Sequence, residues 1–112
     1  MLPSLPAHAD PGQGAPVFEL KCQACHALGG NVINPGKSLK AAVLETNGYA
    51  SQEAIMELVS NGKGQMPSYG PSSPPFARLT EQQIADVAEY VREQAAAGWP
   101  STKVSGDLQA NR

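Results

Sequence analysis

The hydrophobic residues of this chain recur at helical spacing in four stretches, and none alternates with polar residues as a half-buried strand would. The last stretch is the most regular. Thr80, with Gln83 three residues later, predicts a capped helix start, and Gly98 predicts the end of that helix. The apolar face between them comprises Ile84, Val87, Ala88, Val91 and Ala95.

Three further helices are predicted over about residues 16–25, 39–47 and 52–61. Pro16 suits the first helical turn, where its missing N–H is not needed. Ser38 and Ser51 are N-cap candidates, and Gly48 stands where a left-handed C-terminal residue belongs. The chain is therefore predicted to be all-α, with about four helices joined by loops rich in glycine and proline.

A length of 112 residues indicates one domain, which we place at residues 10–100. The share of aromatic residues is only 5%, so a bulky cofactor is expected to supply much of the core. Residues 1–9 resemble the end of a trimmed export signal, and a disordered proline-rich terminus is the alternative. Residues 101–112 are polar and are predicted to be a disordered tail.

Charge and hydropathy exclude several function classes. The net charge of -2 offers no basic stripe for nucleic acid. No apolar run approaches the roughly 20 residues that cross a bilayer, so we predict a soluble protein without a membrane span. The two cysteines lie too close together to cross-link distant parts of the chain, which argues against a disulfide scaffold.

Those cysteines belong to a Cys-x-x-Cys-His motif, the signature of covalent c-type haem attachment, formed by Cys22, Cys25 and His26. Thiols three residues apart lie one helical turn from each other and can add to the two vinyl groups of one haem. The adjacent imidazole can then supply an axial nitrogen to the iron. We predict one covalent haem c.

Two other chemistries use such cysteines. A thioredoxin-like dithiol needs a preceding strand and a βαβ pattern, and neither is predicted here. A zinc site needs four ligands, and only Cys22, Cys25, His26 and the terminal His8 are present.

The second axial ligand separates an electron carrier from a catalyst. The candidates are Met1, His8, Met56 and Met66. Met56 lies within the third predicted helix and is expected to be core. Met66 is the predicted ligand, because it lies in a glycine-rich segment, 61–67, that can approach a macrocycle closely. A His/Met pair raises the reduction potential and leaves no open iron site. If Met66 were labile, a haem sensor or peroxidase would be the alternative.

An ordered set of segments resembles the cytochrome c6 family over nearly all of residues 14–99. The matching segments are residues 14–18, 22–26, 30–35, 61–67, 78–80 and 88–91. The resemblance implies the class I cytochrome c fold, with the first and last helices crossing near Gly14 and Tyr90. It also implies a photosynthetic electron carrier, not an enzyme.

The resemblance also implies a location and partners. The expected location is the thylakoid lumen of a chloroplast or cyanobacterium, with the periplasm as the alternative. The expected partners are cytochrome f and photosystem I, or an unknown lumenal protein. The sequence does not indicate the oligomeric state.

The family pattern further implies surroundings for the haem. The carbonyl of Pro35 is expected to accept a hydrogen bond from the ring of His26. Asn31, Lys63 and Arg78 are expected near the haem edge or its propionates.

Within the family the chain is most similar to the plant and green-algal "A" branch, and a cyanobacterial relative of the "B" or "C" type, or an engineered loop, is the alternative. That branch carries a cysteine pair in a loop after the methionine ligand, whereas residues 70–76 here contain no cysteine. A thiol-oxidising role is therefore not expected. Leu58 falls where high-potential members have a glutamine near the haem. We predict that its apolar side chain lowers the reduction potential, which would make transfer from cytochrome f to photosystem I unfavourable.

Overall fold

The computed structural model describes residues 9–100, and within them the protein is helical. The α-helices are α1 (Pro11–Lys21), α2 (Gln23–His26), α3 (Ala41–Asn47), α4 (Gln52–Asn61) and α5 (Glu81–Ala97). Two 3₁₀ turns cover Ala27–Gly29 and Pro35–Lys37. Over residues 9–100 there is no β-strand, and one isolated bridge pairs Lys63 with Met66. The all-α prediction is confirmed.

Helices α4 and α5 have the ends that the sequence predicts. The Thr80 hydroxyl accepts a hydrogen bond from the Gln83 N–H at 3.0 Å, and the Gln83 side chain accepts one from the Thr80 N–H at 2.8 Å. The Ser51 hydroxyl likewise accepts from the Ala54 N–H at 3.1 Å. Gly98 ends α5 in the left-handed conformation, with φ 84. Local capping chemistry was enough to predict these boundaries.

The predicted start of the first helix was wrong. The helix begins at Pro11, because the Asp10 carboxylate accepts the Gly12 N–H at 2.9 Å and Pro11 occupies the first turn. Pro16 therefore lies inside the helix. The helix also ends at Lys21, and the cysteine motif continues in the separate short helix α2.

The predicted start of the second helix was also wrong, by two residues. Helix α3 begins at Ala41 because the backbone N–H and carbonyl of Leu39 form hydrogen bonds outside the helix. The Leu39 N–H donates to the Gly29 carbonyl at 2.6 Å, and the Leu39 carbonyl accepts from the Trp99 indole N–H at 2.9 Å. Ser38 contributes only a long contact of 3.4 Å to the Lys40 N–H. Gly48 ends the helix as predicted, with φ 87.

Helices α1 and α5 form the central pair of the fold. A Cβ at Gly14 would overlap the Asp86 carbonyl oxygen and lie 2.9 Å from the Tyr90 Cβ, so only glycine allows this approach. The predicted crossing at Gly14 and Tyr90 is confirmed. The rings of Phe18, Tyr90 and Trp99 pack beside it, with centroids 5.3 to 6.2 Å apart.

Helix α4 packs against α5. Its residues Ile55, Met56 and Val59 are buried in the core, so the prediction that Met56 is a core residue is confirmed. None of the helices in residues 9–100 has the length and apolar character that a bilayer crossing requires. Met1, His8 and the predicted tail at 101–112 lie outside the described residues.

Candidate functional site

The cysteine motif occupies a single helical turn between α1 and the loop that follows it. The His26 N–H donates to the Cys22 carbonyl at 2.9 Å, and the Cys25 N–H approaches the same oxygen at 3.2 Å. All three side chains are half-buried. The turn therefore brings two thiols and one imidazole together at the edge of the core.

The Cys22 thiol faces the interior of the protein. Burial raises the pKa of this thiol to about 11, although the nearby Lys21 charge partly opposes the shift. Redox-active dithiols depend on the opposite shift, a lowered thiol pKa. The Tyr69 hydroxyl donates to the Lys21 carbonyl at 3.0 Å, and burial followed by the neighbouring thiols raises the pKa of Tyr69. These surroundings therefore do not favour a redox-active dithiol.

The ring of His26 is oriented by a backbone carbonyl that the sequence analysis did not identify. Its Nδ1 lies 2.7 Å from the Gly30 carbonyl oxygen, so the prediction of Pro35 as the partner was wrong. The 3₁₀ turn Ala27–Gly29 folds the chain back over α2, whereas Pro35 begins a separate turn farther along. A proton on Nδ1 that is donated to this carbonyl leaves Nε2 available to a metal.

We call residues 27–39 the histidine loop. Asn31 organises its middle: the side-chain oxygen accepts from the N–H groups of Ile33 and Asn34, at 3.1 and 2.8 Å, and the side-chain nitrogen donates to the Lys37 carbonyl at 3.1 Å. The Asn31 amide therefore shapes this loop. Whether it also borders a haem stays a prediction.

Met66 lies in a second loop, residues 62–78, which we call the methionine loop. Met66 and Lys63 exchange two backbone hydrogen bonds, of 2.9 and 3.1 Å, that close a tight turn. A Cβ at Gly62 would lie 2.6 Å from the Met66 carbonyl oxygen, so this turn requires glycine. Met66 is half-buried and packs against the core. Its assignment as a ligand stays a prediction.

An open cleft of about 330 Å³ lies between α3, α4 and the start of the methionine loop. Leu58 and Lys63 both line it, so the structure brings together two of the residues that were predicted near the haem. Tyr49 lines the same cleft and was missed by the sequence analysis. No local sequence signal identifies Tyr49, because it comes between two helices.

Arg78 is bound within its own loop. Its Nη2 and Nε donate to the Ser73 carbonyl at 2.8 and 3.2 Å. Ser73 is 2% exposed, and its hydroxyl lies 3.0 Å from that of Ser68. The guanidinium thus holds residues 70–76 in place. The prediction that Arg78 lies near the haem edge stays untested.

The residues present fit a covalent haem better than a zinc ion. Residues 9–100 contain no group of three His, Cys, Asp or Glu side chains arranged to hold a metal ion. Apolar side chains instead stand exposed in the segment that follows the cysteine motif: Leu28 at 50%, Val32 at 69% and Ile33 at 54%. Three exposed apolar side chains within six residues are compatible with a bound apolar group beside the motif.

Comparisons with known proteins agree with this geometry. A family model described as cytochrome c oxidase, cbb3-type, subunit III, matches residues 9–91. The cytochrome c6 of Parathermosynechococcus lividus is 47% identical over 91 residues, covering 81% of this chain and 98% of the relative. That of Cyanidioschyzon merolae is 50% identical over 91 residues and covers 81% of each chain.

The fold is similar to that of a solved structure, oxidised cytochrome c6A from Arabidopsis thaliana. The TM-score is 0.75 and the sequence identity 38%, covering 84% of this chain and 98% of that one. The more specific resemblance to the "A" branch stays a prediction, because the identity to c6A is lower than the identity to the cytochrome c6 sequences.

Proposed function

This chain belongs to the cytochrome c6 family of photosynthetic electron-transport proteins, which carry one covalently bound haem c, and from that premise we propose the following site. Cys22 and Cys25 hold the haem by thioethers, and His26 and Met66 are its axial ligands. The observation that carries the proposal is the single helical turn in which two thiols lie beside an imidazole whose Nδ1 contacts a backbone carbonyl.

The haem, when bound, supplies an iron centre that accepts and returns one electron. The protein's own residues fix that centre. The Gly30 carbonyl holds the His26 ring through Nδ1, and the turn at Lys63 and Met66 holds the second ligand. Two protein ligands leave no position for a substrate, which suits electron transfer rather than turnover.

We propose further that Leu58 makes this protein a low-potential member of its family. Leu58 is half-buried and lines the cleft that also contains Lys63. An apolar side chain there offers no dipole to the iron, and polarity around a haem is one of the means by which a protein sets its potential.

The proposed location is the thylakoid lumen, with the periplasm as the alternative. The proposed partners are redox proteins that meet an exposed haem edge: cytochrome f and photosystem I, or, if the potential is low, another lumenal protein. The family relationship supports both proposals.

The axial ligand is tested with two methionine variants of the protein matured with haem. The intact mass should include one covalent haem, and the oxidised wild type should show the far-red methionine–iron charge-transfer band. Met66→Leu should lose the band because the sulfur is removed. Met56→Leu should keep it, because Met56 is buried in the core at 8% exposure.

Other outcomes would favour the competing functions. A wild type without the far-red band would support a haem sensor or peroxidase with an open iron site. A bare polypeptide mass after maturation would support a haemless dithiol protein. Loss of the band in Met56→Leu and not in Met66→Leu would reassign the ligand.

A further inference from the structure

Trp99 occupies an unusual position just beyond the last helix. It follows Gly98 and has φ 55, a left-handed conformation that costs a residue with a side chain about 1 kcal/mol or more. Its backbone N–H donates to the Gln94 carbonyl at 2.8 Å, and its ring is only 6% exposed. Strain of this kind persists only where surrounding contacts maintain it.

Those contacts lie in the histidine loop. A Cβ at Gly29 would lie 2.5 Å from the Trp99 Cδ1, so the indole rests directly on the Gly29 backbone. The indole N–H also donates to the Leu39 carbonyl at 2.9 Å. Leu39 in turn donates its own N–H to the Gly29 carbonyl at 2.6 Å. Trp99, Gly29 and Leu39 therefore form a closed three-way contact.

This three-way contact adjoins the hydrogen bond that orients His26. Gly30 follows Gly29 directly, and its carbonyl, in the next peptide unit, lies 2.7 Å from the His26 Nδ1. A shift of the Gly29 backbone would therefore displace Gly30 and the carbonyl that contacts His26. A carbonyl that accepts from the Nδ1–H of a ligating histidine makes that ligand more basic.

We propose that Trp99 is a positioning residue for His26: by fixing Gly29 and Leu39, it sets the hydrogen bond between the imidazole and Gly30. The inference rests on the function proposed above, in which His26 binds the haem iron. A more basic imidazole stabilises the oxidised iron and lowers the reduction potential. Loosening the three-way contact should consequently raise the reduction potential.

The test compares two variants of the haem-loaded protein. Trp99→Phe keeps an aromatic ring on Gly29 but removes the N–H that bonds Leu39. Val87→Ala removes methyl groups from a buried α5 residue, which is 1% exposed and belongs to the apolar face of α5, not to the three-way contact. The measurements are the midpoint potential by voltammetry and the hydrogen exchange of the Leu39 amide and the His26 Nδ1–H by NMR.

In Trp99→Phe we expect an upward shift of the midpoint potential. Both protons should also exchange about fivefold faster, a factor that corresponds to the loss of one net hydrogen bond. Val87→Ala should lower the melting temperature and leave the potential and both exchange rates unchanged.

Unchanged potential and exchange in Trp99→Phe would overturn the inference. Equal changes in Val87→Ala would also overturn it, because they would show an effect of stability alone. In both cases, covalent haem and the methionine–iron band in the wild type would leave the proposed function intact. A wild type without covalent haem would overturn both proposals.

Discussion

The histidine loop and the methionine loop are both long and rich in glycine, yet they are held in different ways. The histidine loop is held from a distance: Trp99, 60 residues beyond Leu39, contacts it through its side chain. The methionine loop is held mainly by its neighbours in sequence, because Tyr69 and Gly70 donate backbone hydrogen bonds to Val59 and Ser60 at 2.9 and 3.0 Å.

This difference predicts how far the structural effect of a substitution in each loop extends. A change in the methionine loop should act mostly locally, because its backbone hydrogen bonds to Val59, Ser60 and Lys63 lie within the loop or on the end of α4. Tyr69 is the exception, since its hydroxyl donates to the Lys21 carbonyl of α1. A change in the histidine loop should extend to α1 and α5, because Trp99 packs against Phe18 and Tyr90.

The largest expected effect comes from breaking the methionine loop at its start with Gly62→Ala. Gly62 has φ 71 and ψ 175, a region that is essentially restricted to glycine, and an added Cβ would meet the Met66 carbonyl. We expect a loss of about 3 kcal/mol in the free energy of unfolding, measured with denaturant, and loss of the far-red methionine–iron band.

Gly64→Ala is the matched control for that variant. Gly64 also has a positive φ, of 58, but an added Cβ there would have no neighbour within 4 Å. It should cost about 1 kcal/mol of backbone strain and keep the band. If both variants lost the band equally, the close approach of Gly62 to Met66 would not be what holds the ligand.

A smaller effect is expected from Arg78→Met, which removes the two hydrogen bonds to the Ser73 carbonyl. We expect a loss of about 1 kcal/mol in the free energy of unfolding and faster proteolytic cleavage within residues 70–76. Amide exchange in the histidine loop should not change. Arg92→Met, which alters an exposed arginine of α5, is the control and should leave cleavage unchanged. Faster exchange at Leu39 in Arg78→Met would contradict the independence of the two loops.

The smallest structural effect is expected from Leu58→Gln, which changes the cleft without breaking either loop. The amide dipole should raise the midpoint potential, measured by voltammetry, while the free energy of unfolding changes by less than about 1 kcal/mol. Leu58→Met keeps the position apolar and should leave the potential unchanged. An unchanged or lowered potential in Leu58→Gln would reject the low-potential proposal.

The parts of the fold that follow from local chemistry could be predicted from the sequence. The capping box at Thr80 and Gln83, the cap at Ser51 and the left-handed glycine at residue 98 all act over a few residues. The start of α1 was missed although Asp10 followed by Pro11 is a recognisable helix start. Pro16 also suits a first helical turn, and a proline alone does not locate that turn.

The parts of the site that depend on distant contacts could not be predicted in this way. The Gly30 carbonyl lies beside His26 in a loop whose ends are joined by the hydrogen bond from Leu39 to Gly29, and that same hydrogen bond keeps Leu39 out of α3. Arg78 donates to a backbone carbonyl five residues away. Every residue has such a carbonyl, so the sequence does not indicate which one accepts. The sequence was sufficient to identify the motif residues but not to predict their hydrogen-bond partners.

The location of Trp99 also makes the protein its own fluorescent reporter. The chain contains one tryptophan, and its indole rests on Gly29, whose Cα lies at most about 11 Å along the chain from that of His26. A porphyrin held at the proposed ligand His26 would lie close enough to the indole to absorb the energy that an excited indole would otherwise emit. The apoprotein should consequently fluoresce under ultraviolet excitation, and the emission intensity should decrease as the haem is attached.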